Sequence, residues 1–263
     1  MKNRRVSPKD GVAWITGASS GIGRGVALEL ARRGWTVAVS ARREPELEAL
    51  AVAAMGLPGR IIAHAVDVTD AVAMRDAAIS IEKAHGPIAL AFFNAGIAPY
   101  VNAPHIDVTA FRQVVEVNIM GVVHGLAAIM PAMAERGFGQ IAVNASIAGY
   151  GGLPRSAAYG GTKAAVINMC EALRFDCDAL GLVLQLVNPG FIETPLTGKN
   201  DFPMPFLMAN DVAAKRCCDG FERAGFEINF PKRLAYILKA VNLLPYPLYF
   251  WLVGKATGVR KPH

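Results

Sequence analysis

Tyr159 and Lys163 stand four residues apart in Tyr159-Gly-Gly-Thr-Lys163, and Ser146 lies thirteen positions before the tyrosine. On a helix, that spacing puts the two side chains on one face, one above the other. A phenol is a weak acid with an ordinary pKa of about 10. A lysine held beside it favours the phenolate and draws that pKa toward neutrality, where proton transfer is efficient. A serine hydroxyl nearby can hold a polarised carbonyl oxygen. The chemistry suggested is protonation of a carbonyl, or its reverse. The same pair also fits a plain solvated helix face, so the surrounding elements decide.

From residue 12 onward, short apolar runs alternate with amphipathic stretches, the pattern of βα units around a parallel sheet. The expected strands are Val12–Ile15, Thr36–Ser40, Arg60–Val66, Ile88–Phe93, Gln140–Asn144, Val183–Val187 and a short Glu227–Phe230. The expected helices run from Gly23 to Arg33, Glu46 to Ala54, Asp70 as cap to Ala84, Thr109 to Glu135, Ala158 to Leu180 and Asp211 to Arg223. There is no internal repeat or long linker. The chain therefore reads as one doubly wound, Rossmann-type α/β domain of about seven strands over residues 1–230, with an apolar, basic helical extension over 231–263. Ser146 follows the fifth strand, at the carboxyl edge where ligands sit in open α/β sheets.

Where the first strand meets its helix the chain runs Thr16-Gly-Ala-Ser-Ser-Gly-Ile-Gly23. Glycines at 17, 21 and 23 permit a tight turn, close approach of a ligand to the backbone and close helix packing. The free N–H groups of the helix can then face a pyrophosphate. The spacing is GxxxGxG, not the commoner GxGxxG.

Asn94-Ala95-Gly96, Asn118, Ser146, Tyr159-x-x-x-Lys163 and Pro189-Gly190 follow that turn in order. In this joint pattern the chain resembles the short-chain dehydrogenase/reductase family over roughly residues 10–230. The resemblance implies that Tyr159 is the general acid in reduction and the base in oxidation. It also implies that Lys163 lowers the tyrosine pKa and bonds the nicotinamide ribose, and that Ser146 holds the substrate oxygen. Asn118 is expected to interrupt its helix and hold a water linking Lys163 to solvent. The implied cofactor contacts are Gly17, Ser19, Ser20, Gly21, Ile22 and Gly23 in the turn, and Asp67 and Val68 at the adenine. Asn94, Ala95 and Gly96 run beside the cofactor; Pro189, Gly190, Ile192 and Thr194 lie at the carboxamide.

The end of the second strand sets the expected cofactor. An acid there bonds the adenosine ribose and repels a 2′-phosphate. This chain has Ala41, then Arg42 and Arg43. A guanidinium matches a phosphate in a bidentate, charge-assisted geometry, so NADP(H) is expected; Arg43 also fits a solvated loop residue. Two departures from the family pattern stand out. Phe93 occupies a position usually held by Asn, removing a polar contact. Gly160 and Gly161 follow the tyrosine where better helix formers are usual, each costing about 1 kcal/mol relative to Ala. Either the helix start is loose, or a substrate or a backbone comes close there. Pro195 to Met208 reads as a mobile apolar lid favouring a hydrophobic ketone, aldehyde or secondary alcohol, although these residues could equally pack on the core. The alternative class is a non-catalytic NADP(H)-binding regulator or scaffold on the same fold, against which the intact Asn118, Ser146, Tyr159 and Lys163 set argues.

Composition narrows the remaining classes. A hydrophobic content of 53% with 18% charge excludes a disordered chain. Cys170, Cys177, Cys217 and Cys218 form no CxxC pair, and His64, His85, His105 and His124 are scattered. Reduced thiols, a cytoplasmic location and no metal site are expected. Met1 to Asp10 is polar and basic, unlike a secretory leader. The net charge is +6, yet all 21 acids lie at or before Glu227 and only residues 228–263 are unbalanced. That distribution excludes a general nucleic-acid surface. Leu234 to Val253 is apolar and aromatic but broken by Lys239, Asn242, Pro245 and Pro247, which suits two short helices hinged at Leu244-Pro-Tyr-Pro247 rather than a span. Such a segment could form a subunit interface in a homodimer or homotetramer, a lid over the cleft, or a peripheral contact with anionic membrane.

Overall fold

The computed structural model describes residues 4–101, 103, 106–199 and 202–258. His105, Arg260 and Lys261, and the first three residues of the basic amino end, lie outside the described residues. Seven strands form one wholly parallel sheet in the order β3-β2-β1-β4-β5-β6-β7. They are β1 (Val12–Thr16), β2 (Thr36–Ala41), β3 (Arg60–Ala65), β4 (Ile88–Phe93), β5 (Gln140–Asn144), β6 (Val183–Pro189) and β7 (Glu227–Phe230). The strand order reverses between β1 and β4, and the carboxyl ends part there, leaving a crevice.

Side chains alternate across the sheet and feed two cores. Ala13 and Ile15 of β1 face one side, with α1 (Gly21–Arg32), α2 (Glu44–Ala53) and α7 (Asn210–Glu222) packed there through Val26, Leu30, Leu47, Leu50 and Phe221. Val12 and Trp14 face the other, covered by α3 (Ala71–His85), α5 (Gly121–Arg136) and α6 (Ala157–Ala179) through Met74, Ile81, Leu126, Ile129 and Val166. Helices on both faces explain why β1, β4 and β6 are buried along their whole length. The Asp70 carboxylate caps α3 as expected, accepting from the N–H groups of Val72 and Ala73. Helix α2 starts two residues before its expected position because Pro45 carries a φ already suited to the first turn.

The expected helix from Thr109 to Glu135 is one run in three parts: α4 (Val108–Val115), a π-helical segment (Glu116–Met120) and α5. Beyond β7, α8 (Lys232–Asn242) and α9 (Tyr246–Thr257) meet at the expected proline hinge. Leu234 and Ala235 of α8 bury against Ile147, with Tyr150 and Phe191 packed on them. Glu227 fastens this corner. It accepts from the Tyr150 hydroxyl at 2.5 Å, Asn188 at 2.7 Å and Asn229 at 2.9 Å, and pairs with Lys239 of α8. The Tyr249 hydroxyl of α9 donates to the Gly152 carbonyl at 2.8 Å.

Candidate active site

The carboxyl ends of the strands open on a cleft of ≈ 310 Å³ at the β1–β4 crevice. Its walls are Gly17, Ser19, Ser20, Gly21 and Ile22 of the glycine turn, Arg42 and Arg43 after β2, and Asp67 and Val68 after β3. Asn94, Ala95 and Gly96 after β4, Tyr159 and Lys163 of α6, and Thr194 after β6 complete it. Gly23, Asn118, Ser146, Pro189, Gly190 and Ile192 are not part of this lining. Gly23 packs so tightly that a Cβ there would lie 2.5 Å from the Asn94 amide nitrogen and the Gly17 carbonyl oxygen. At Gly17 φ is +67°, and a Cβ would strike the Ala95 main chain at 2.6 Å. The glycine turn is thus wedged against the loop after β4, where the chain needs residues without side chains.

Asn94 braces that wedge. Its side-chain nitrogen donates to the carbonyls of Thr16 and Gly17, each at 3.2 Å, and its oxygen accepts from Asn144 at 2.9 Å. The ends of β1, β4 and β5 are tied together through one amide. Phe93, in place of a polar residue, is fully buried between Trp14, edge-on at 6.0 Å, and Gly125, whose missing side chain makes room for the ring. An apolar helix–sheet gap replaces a polar contact.

The π-helical segment carries Asn118 inward until it is fully buried. Its side-chain oxygen accepts from the Ile97 N–H at 2.8 Å, and its nitrogen donates to the Ile97 carbonyl at 3.0 Å and to Thr162 Oγ1 at 3.1 Å. Asn118 therefore pins the loop after β4 to α6. Gly96 sits in the gap: a Cβ there would be 3.4 Å from Asn118 Oδ1 and 3.6 Å from Lys163 Nζ.

Lys163 is buried, and its ammonium donates to the Asn144 carbonyl at 2.6 Å while lying 5.7 Å from the centre of the Tyr159 ring. Burial pushes its pKa down to about 8. The same burial raises the Tyr159 phenol above its ordinary value, with Ser146 opposing the rise through a hydrogen bond. Lys163 directs its ammonium to the Asn144 carbonyl, and desolvation outweighs the Ser146 hydrogen bond at the phenol.

Ser146 Oγ accepts from the Ala148 N–H at 3.1 Å and donates to the Pro189 carbonyl at 3.4 Å, capping the single turn Ile147–Gly149. That turn explains one of the two glycines after Tyr159. A Cβ on Gly160 would stand 3.1 Å from the Ala148 carbonyl oxygen and 3.0 Å from Ser156 Oγ, whereas Gly161 faces open space. Backbone approach is the reason at Gly160. Nothing in the structure requires a glycine at 161.

At the far end of the cleft, Arg43 is not a free loop residue: it donates to Ser19 Oγ at 2.9 Å and pairs with Glu46 at 3.0 Å. Arg42 is exposed and has no hydrogen-bond or ion-pair partner among the described residues. Asp67 Oδ1 accepts from the Thr69 N–H and hydroxyl, which leaves Oδ2 for the cleft. The Gly190 N–H is taken by the Phe230 carbonyl at 2.7 Å, and Ile192 is buried beside Met208, so both support the loop that presents Thr194. Sequence reasoning missed Asn144 and Thr162. Asn144 ends β5 two residues before Ser146, and that carboxyl-end position was the available signal.

The chain matches the short chain dehydrogenase family model over residues 11–202. It is 37% identical over 237 residues to an uncharacterized oxidoreductase of Myxococcus xanthus, covering 90% of this chain and 94% of that one. It is 31% identical over 188 residues to a 3-oxoacyl-(acyl-carrier-protein) reductase of Thermotoga maritima, covering 72% and 76%. Among solved structures, an alcohol dehydrogenase from the archaeon Thermococcus sibiricus, complexed with 5-hydroxy-NADP, superposes with a TM-score of 0.75 at 26% identity over 83% of this chain and 95% of that one. Fold and site together define a Rossmann-type oxidoreductase that uses a nicotinamide cofactor. The chain belongs to the short-chain dehydrogenase/reductase family, whose members act on CH–OH or C=O groups of small molecules and oligomerise.

Proposed function

We propose that this chain is an NADP(H)-dependent carbonyl reductase, and in reverse an alcohol dehydrogenase, acting on a hydrophobic ketone, aldehyde or secondary alcohol. The observation that carries the reading is the Tyr159 phenol, hydrogen-bonded to Ser146 and stacked near Lys163, lining the end of a cleft begun by a glycine turn. Several groups along that cleft fit a dinucleotide with a 2′-phosphate. Arg42 is an unpartnered cation beyond β2, Asp67 keeps an oxygen open, and Asn144 Oδ1 is a buried acceptor with no partner among the described residues. Bound nicotinamide supplies the hydride.

The residues of this chain do the rest. Ser146 and Tyr159 hold the carbonyl oxygen, and Tyr159 passes its proton to that oxygen as negative charge develops there. The Lys163 charge stabilises the phenolate left behind, more strongly in this dry site than it could in water. Pro195 and Leu196 line the cleft, and the Phe202 ring of the same loop meets Phe191 edge-on at 6.0 Å. This apolar wall supports a hydrophobic substrate. The names of the Thermotoga and Thermococcus relatives, a ketone reductase and an alcohol dehydrogenase with an NADP derivative, agree in direction. Four free, buried cysteines support a cytoplasmic enzyme, and we place it there as a homodimer or homotetramer.

The test is a panel of hydrophobic ketones and alcohols assayed with NADPH and with NADH. NADPH should be preferred by about a hundredfold in kcat/KM, and Arg42→Ala should remove at least about tenfold of that preference while leaving NADH use unchanged. Tyr159→Phe should bind NADPH normally and turn over at least about a thousandfold more slowly. Equal use of NADH sinks the cofactor assignment. NADPH binding with no turnover of any panel member favours the non-catalytic alternative.

A further inference from the structure

Helices α8 and α9 turn narrow faces to the domain, burying Leu234 and Ala235 from one and Tyr249 and Val253 from the other. Their opposite faces are apolar and open. Tyr236, Ile237, Leu243 at the hinge, Tyr246, Phe250 and Trp251 are between 52% and 86% exposed. The Tyr246 and Phe250 rings stack at 5.7 Å, and Lys255 Nζ lies 5.3 Å over the Trp251 ring, so the aromatic groups hold one another at the surface. The segment itself carries charge of one sign, since residues 228–263 contain six cations and no acid. Lys239 is engaged by Glu227, whereas Lys232, Arg233 and Lys255 are exposed.

We propose that this outer face is a docking surface for an anionic lipid bilayer, entered to interfacial depth. Helices of 11 and 12 residues, broken by the hinge at Pro245, fall well short of the roughly 20 residues a span requires. They are suited to lying in the membrane plane, where tyrosine and tryptophan rings sit at headgroup level and Lys and Arg stems lead their charges outward to phosphate. A second copy of the chain is a poorer occupant. A two-fold interface sets a patch against itself, and here that opposes cations to cations with no acid in the segment to pair them. An anionic headgroup layer offers the complementary charge.

Docking here also places the cleft. Leu234 and Ala235 pack with Phe191, whose ring meets Phe202 in the loop that supplies Pro195 and Leu196 to the cleft wall. A hydrophobic carbonyl compound dissolved in the bilayer would enter along that wall. This last step rests on the proposed function, whereas the docking itself does not.

The experiment uses the full chain with vesicles of phosphatidylcholine alone or with about 30% phosphatidylglycerol. Partition should be at least about tenfold greater onto the anionic vesicles and be lost near 0.5 M salt, where the Debye length shrinks to a few ångströms. Binding should shift Trp251 emission to the blue, and Trp251→Phe should abolish the shift. The double variant Phe250→Asp with Trp251→Asp should lose vesicle binding at least tenfold while keeping its oligomeric state, its circular dichroism and its turnover of a water-soluble ketone. Should that variant misfold, the charge reversals Arg233→Glu and Lys255→Glu provide the same comparison. A wild-type protein that stays in the supernatant at low salt overturns the proposal. So does undiminished binding of the variants, or an oligomer that falls apart in them, which would make the face a subunit interface. Vesicle binding without turnover of any ketone would count against the site reading alone.

Discussion

Lys163 pays for its position. The ammonium is buried with one carbonyl partner, and its pKa falls from 10.5 to about 8. The sign follows from linkage: between those values the unfolded chain carries the proton and the folded chain does not, so this group makes stability rise with pH. Below about pH 8 the folded protein bears the full cost of the buried charge, about 3 kcal/mol. Lys163→Met should therefore be the more stable protein at pH 7, and its advantage should shrink toward pH 10.5. Urea unfolding of both proteins at pH 7, 9 and 10 checks this, and the difference between them cancels the other groups that titrate. An advantage that grows with pH would contradict the burial of a charged lysine. At this scale the sequence was informative where chemistry sets the spacing, as in Tyr159, Lys163 and Ser146. It was silent on Asn144 and Thr162, which act through a main-chain carbonyl and a hydroxyl that only the folded chain brings to Lys163 and Asn118.

The start of α6 shows how an element carries the site. Gly160 lets the helix lie against the turn capped by Ser146, while Gly161 meets nothing within 4 Å. The two glycines should respond differently to the same change. Gly161→Ala should stabilise the chain by about 1 kcal/mol, the helix-propensity difference, with little effect on turnover. Gly160→Ala should gain less or lose stability, because the new methyl group presses on the Ala148 carbonyl, and turnover should drop as the Ser146 turn moves. Denaturant midpoints and kcat for the two variants make the comparison, and equal gains would remove the close approach as an explanation. The seven strands were readable because buried parallel strands are short apolar runs between turn residues, and the proline hinge between α8 and α9 was readable for a similar reason. The contact at Gly160 was not, since it depends on a neighbour twelve residues away coming within van der Waals distance.

At the scale of the whole molecule, Glu227 joins parts of the chain that composition cannot connect. Tyr150 follows the Ser146 turn, Asn188 lies in β6, Asn229 in β7 and Lys239 in α8, and all four meet one carboxylate. Burial works to raise the Glu227 pKa, but Lys239, Tyr150 and Asn188 outweigh it and hold the pKa below 4.5. A carboxylate with a depressed folded pKa contributes stability above its unfolded pKa and loses that contribution as pH falls through the folded value. Lys239→Met should thus cost about 1 kcal/mol at pH 7, a modest figure because the lysine is partly exposed. The difference from wild type should shrink as pH falls through the depressed folded pKa of Glu227 and disappear once that carboxylate is protonated in both. Thermal unfolding across that range tests the sign. The doubly wound class was legible from the alternation of strands and helices. The way the extension is fastened was not, because the four partners span residues 150 to 239 and only one of them carries charge.

The π-helical segment stores one residue of surplus length inside a run that is otherwise regular α-helix. Removing a residue from α5 would rotate everything beyond it by about 100° and take Leu126, Ile129 and Met133 off the core. Removing Ile119 should instead let the surplus close, so that α4 and α5 keep their faces while Asn118 swings away from Ile97 and Thr162. The expected product is a folded, cooperative protein with native-like circular dichroism and little turnover. The spare residue would then mark where this helix can change length without changing the fold.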